Sequence, residues 1–164
     1  MTEQLPLLAS LRSRTDGQEQ APAVPYYHMW TGPDGKSQLN TALMQAFGRK
    51  SVGGGAAPQW MRPFPGKVTA VSFAILPVGW KGEWHESPSP QWVIPLSGRW
   101  FIETQDGHHC EMGPGDLHFG QDQGTQDHHG RKGHLSGTIG DEPCVQLMIQ
   151  FATSPAAACE SPFA

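Results

Sequence analysis

From Val68 onward apolar residues come in short blocks separated by Gly, Pro and polar breaks, a pattern that predicts brief β-strands. The last block is the cleanest: Val145, Leu147, Ile149 and Phe151 alternate with Cys144, Gln146, Met148 and Gln150. Earlier blocks run from Val68 to Leu76, Gln91 to Leu96, Trp100 to Thr104, His108 to Met112, Leu117 to Gly120 and His134 to Ile139. A hairpin corner is expected at Gln105-Asp106-Gly107. Upstream, Tyr26 to Trp30 reads as a strand ending at a Gly32-Pro33-Asp34-Gly35 turn, and Ser51 to Pro58 as a loop. Leu39 to Phe47 fits a helical turn or a strand, because its periodicity does not decide. Short strands at this spacing predict an all-β sandwich or barrel.

The flanks differ from the centre. Leu5 to Arg14 fits one short helix with Leu7, Leu8 and Leu11 on one side, and Thr15 to Pro25 a flexible connection. Residues 1–25 are therefore expected to form an extension, 26–152 a single domain, and 153–164 a loose tail.

Composition narrows the classes of function. The 164 residues suffice for one substantial core, and 20 Gly with 15 Pro suit a turn-rich β protein. A formal charge of −4, with Arg49-Lys50 and Arg131-Lys132 as the adjacent basic pairs, argues against a nucleic-acid partner. Three cysteines without CxxC spacing argue against a disulfide scaffold or zinc knuckle and point to a reducing, cytoplasmic setting. The first residues lack the pattern of a signal peptide, and no apolar run reaches the ~20 residues of a membrane helix.

Two stretches carry candidate chemistry. In the first, Gly79 is followed after five residues by His85, then Ser87, Gln91 and, after six more residues, Gly98. In the second, Pro114-Gly115-Asp116 precedes His118, with Asp122 beyond it. This pair resembles the two motifs of the cupins, small jelly-roll β-barrels, with Ser87 and Gln91 in place of the family's second His and its Glu. Asp122, Lys132, Gly133 and His134 are similar to a cupin subgroup that also carries an upstream element like Asp34-Gly35-Lys36-Ser37. The resemblance implies a barrel pocket holding one divalent transition metal (Fe, Mn, Ni, Cu or Zn), with His85, Gln91 and His118 as ligands. It also implies a homodimer, with Tyr26 to Trp30 as the candidate exchanged strand.

On a strand, His85 and Ser87 share a face, and a turn through Pro88 to Pro90 brings Gln91 back beside them. A His/His/Gln set binds a divalent ion less tightly than a full family set, so a metal-free polar cluster stands as the alternative. His134, opening a strand, is the candidate acid–base residue, with Glu83 and Asp122 as further candidates. Glu83 is placed on the His85 face and Glu86 on the opposite one. Trp84 and Trp92 flank the motif residues, as core or as pocket wall. Cys110 beside His109 is rejected as a nucleophile pair, since adjacent strand residues face opposite ways. The resulting expectation is a small-molecule enzyme of isomerase, lyase or decarboxylase type, with no organic cofactor. A metal-dependent dioxygenase and a non-catalytic ligand sensor are the alternatives.

Overall fold

The computed structural model describes residues 21–64, 66–155 and 163; the helix expected at Leu5 to Arg14 lies outside them. The described residues form eleven strands and no helix: β1 (Val24–Thr31), β2 (Ser37–Met44), β3 (Gly48–Lys50), β4 (Gln59–Met61), β5 (Val68–Leu76), β6 (Gln91–Ser97), β7 (Arg99–Thr104), β8 (His109–Met112), β9 (His118–Gln121), β10 (His134–Ile139) and β11 (Cys144–Phe151). No helix among them is long and apolar enough to cross a membrane.

Six strands make the main sheet in the order β2-β1-β9-β6-β11-β5, three make a second sheet in the order β10-β7-β8, and β3 with β4 forms a hairpin. The protein is all-β, and none of the three sheets closes on itself. Pairing is antiparallel except between β1 and β9, which run parallel with Tyr27 opposite His118. That pairing settles the strand at Leu39: Leu39 sits opposite Met29 and Ala42 opposite Tyr26, so β2 is held by β1 rather than by its own helix formers. β1 thus lies between β2 and β9 in the main sheet.

Period-two alternation gives the main sheet two buried faces. Met29, Leu39 and Val93 meet Trp100, Ile102 and Met112 of the second sheet, forming a core between the layers. On the opposite face Tyr26, Ala42, Trp92, Phe119 and Phe151 form a second cluster. The chain passes from one sheet to the other at Gly98. Its φ of +67° and the Pro143 carbonyl beside it leave no space for a side chain.

Within the stretch expected to be a loose tail, Phe163 is held in the core. Phe163 is only 2% exposed and packs its ring against Tyr26, Phe64, Trp92 and Phe119. Its carbonyl accepts from the Arg62 guanidinium and from the Gln45 N–H. A small, Pro-containing stretch has no period to announce one anchoring aromatic. Phe163→Ala is expected to lower stability by about 3 kcal/mol, read from the urea midpoint by Trp fluorescence. A cost under about 0.5 kcal/mol would show that the ring does not belong to this core.

Candidate functional site

Between the two sheets lies a cavity of about 120 Å³. The main sheet contributes Ala74, Leu76, Gln91, Val93, His118, Gln146 and Met148, all inward members of alternating strands. The second sheet contributes Trp100, His134 and Ser136, and the β5–β6 connection contributes Trp80, His85 and Ser87. The four motif residues His85, Ser87, Gln91 and His118 thus share one cavity with His134. Asp122 stands directly behind His134 and is fully buried.

His85 does not lie on a regular strand. The connection follows β10 through two isolated bridges, Lys81 with Gly137 and His85 with His134. The His85 bridge is made by two backbone hydrogen bonds of 2.9 and 2.8 Å, and it brings the rings of His85 and His134 to 4.5 Å between centroids. Gly133 permits this approach, since a side chain there would collide with the His85 carbonyl and φ is +78°. The Ser37 hydroxyl donates to the Gly133 carbonyl at 2.6 Å, so the Asp34–Ser37 element and the Gly133-His134 element meet in space.

Three imidazoles face the cavity in different states. His134 Nδ1 lies 2.7 Å from Asp122 Oδ2; the carboxylate accepts this proton, leaving Nε2 as the other ring position. His85 Nδ1 lies 2.7 Å from the Glu83 carbonyl, which can only accept, so Nδ1 carries a proton and donates it. His118 is 1% exposed, and neither of its ring nitrogens has a hydrogen-bond partner. Burial, reinforced by the neighbouring His134, lowers its pKa to about 3, so the ring is neutral at physiological pH. Burial alone would raise the Asp122 carboxyl. Its bonds from His134 and from the Ser87 N–H, at 2.9 Å, outweigh that and hold it below the usual range.

Glu83 is exposed and absent from the cavity wall, and only its carbonyl reaches the site, through His85. Because residues 80–85 are bridged rather than extended, two-residue spacing does not put Glu83 on the His85 side. Glu86 faces away from the cavity. It accepts from the Thr125 N–H at 2.7 Å and lies 3.4 Å from the Lys132 ammonium, tying down the loop that carries Asp122 and His134. Among the tryptophans, Trp80 and Trp100 wall the cavity, whereas Trp92 packs on the far side of the sheet and Trp84 lies under the Arg131 guanidinium. Sequence reasoning also missed Ser136, Gln146 and Met148; the alternation of β10 and β11 was the available signal. Burial pushes the Cys110 thiol up to about 12, which disfavours its thiolate.

The oxygen donors around the metal set that the motifs imply already have hydrogen-bond partners. Gln91 Oε1 accepts from Gln150 Nε2 at 3.0 Å, and both Asp122 oxygens are already engaged, by His134 and by Ser87. Among the described residues no three His, Cys, Asp or Glu side chains stand where one metal ion would be held. A facial triad of two histidines and Asp122 would have to replace the Asp122–His134 hydrogen bond.

No family model matches the chain. Nor does any curated protein. Among solved structures, the crystal structure of protein NMB1881 from Neisseria meningitidis is similar at 12% identity and a TM-score of 0.39, over 56% of this chain and 88% of that one. So loose a likeness carries neither fold family nor activity.

Proposed function

We propose that the chain is a cupin-type enzyme that moves protons on a small uncharged molecule, with the His134–Asp122 pair as its base. The observation that carries this reading is the pairing of two unlike histidines on one cavity: His134 backed by a buried carboxylate, and His118 neutral with both nitrogens free. In a non-redox reaction of isomerase or lyase type, His134 Nε2 takes a proton from a carbon beside a carbonyl. Asp122 stabilises the imidazolium that forms, while the His118 N–H donates to the carbonyl oxygen as charge builds there. Burial keeps His118 neutral, so its ring offers one N–H donor and one acceptor nitrogen.

Size and charge narrow the substrate. A cavity of roughly 150 Å³ holds benzene, so one of about 120 Å³ suits about five, and at most six, non-hydrogen atoms. No Lys or Arg lines the wall, and Asp122 already supplies a negative charge, so an anionic substrate would find no counter-ion. Gln146, Ser87 and Ser136 offer hydrogen bonds to a neutral polar one. The free thiols of Cys110 and Cys144 are in keeping with a reducing, cytoplasmic setting.

Deuterium exchange followed by proton NMR in D2O tests the reading, using hydroxyacetone, dihydroxyacetone and cyclopentanone. The protein is expected to accelerate exchange beside the carbonyl of at least one of them, and His134→Gln to lose about 100-fold of that rate. No acceleration with any of the three, or undiminished exchange by His134→Gln, overturns the catalytic reading. Binding without exchange would favour a sensor, for which Ser87 in place of an imidazole is the supporting feature.

A further inference from the structure

β5 is the last strand of the main sheet, and its two faces differ in kind. Inward, Ala74 and Leu76 line the cavity. Outward, Val71, Phe73 and Ile75 are 63%, 73% and 67% exposed. Large apolar side chains scattered singly over a surface need no explanation, but these three stand in register with a second row. Val71 pairs with Ile149, Phe73 with Leu147 and Ile75 with Val145, all half-buried on β11. Six apolar side chains thus form a two-strand plane without a single charge at the end of the sheet; its β5 row is exposed, while Ile149 on the β11 row also packs against the Tyr26–Phe119 cluster.

We infer that this plane is the interface with a second copy of the same chain, packed sheet face on sheet face about a two-fold axis. Two features favour a copy over an unrelated partner. A two-fold interface must complement itself, and a plane that is apolar throughout does so in any register, whereas recognition of a different protein relies on charges that are absent here. The area also fits. The exposed fractions leave on the order of 500 Å² per copy, so pairing would bury about 1,000 Å², the threshold for a specific interface. On this assignment the contact lies on β5 and β11, far along the sheet from β1.

Sedimentation equilibrium of the full chain between 1 and 100 µM is the test, in wild type and in Phe73→Glu, Phe73→Ala and Trp60→Glu. The wild type is expected to dimerise. Phe73→Glu should weaken the dimer at least 100-fold and Phe73→Ala about tenfold, while Trp60→Glu, on the exposed β4 of the separate hairpin, leaves it unchanged. Circular dichroism checks that each variant is folded, and Phe73→Ala keeps the test decisive if the glutamate variant does not fold. A wild type that stays monomeric at 100 µM overturns the assignment. So does a dimer indifferent to both Phe73 substitutions, or one broken by Trp60→Glu.

Discussion

Between pH 7 and pH 5 the protein is expected to lose roughly 4 kcal/mol of folding stability, about 2 kcal/mol from each of two buried histidines. His118 is pushed down to about 3 by burial and by its neighbouring ring, and His28 to about 4 by burial. Unfolded, both rings bind a proton near 6.5. Below that pH the unfolded chain therefore holds up to two protons that the native state does not, and stability falls as pH drops. Above about 7 neither ring is charged in either state, and the dependence vanishes. Asp122 adds to the loss only below about 4, where the unfolded carboxyl takes up its proton and the folded one, held lower, does not. Urea unfolding at pH 7.5, 6 and 5 gives the slope directly. His118→Leu should halve it, leaving the contribution of His28, whose ring stacks on Trp30 at 4.9 Å and reaches Gln121 through Nε2. An unfolding midpoint constant from pH 7.5 to 5 would mean that both rings are solvated.

Asp122→Ala is expected to cost about 4 kcal/mol and to abolish catalysed exchange. The carboxylate is fully buried, and its removal leaves the Ser87 N–H and His134 Nδ1 without their acceptor inside the protein. His134 would lose both its orientation and the charge that stabilises its protonated form. Asp122→Asn separates the two roles: its amide oxygen can still accept from Ser87, but the neutral side chain no longer supports an imidazolium. The asparagine variant should therefore keep more than half of the lost stability while remaining as inactive as the alanine one. Thermal and urea unfolding, set beside the exchange assay, distinguish the two. An alanine cost below about 1 kcal/mol would show that the pair is exposed to solvent.

Much of the strand pattern was legible because β-branched and apolar alternation is a local property. β11 and β5 announce themselves, and β6 to β10 follow from the turns between them. β2 was ambiguous because Leu39-Asn40-Thr41-Ala42-Leu43-Met44 carries helix formers whose conformation is decided by β1, a long-range pairing. β3 and β4 are three exposed residues each, too short for any period to register. At the site, His85, Gln91 and His118 were visible through motif spacing, which concerns the order of residues. What those residues touch was not. The bond between Asp122 and His134 depends on a loop folded back through Glu86, Thr125 and Lys132. The engagement of Gln91 by Gln150 comes from a neighbouring strand 59 positions away.

The partition between the two layers of side chains on β5 and β11 is a single backbone thick. Ala74 and Leu76 on one side and Phe73 and Ile75 on the other are successive links of the same chain. A substitution in the outer row therefore falls one residue from the cavity wall, and its effect is to be measured on both surfaces.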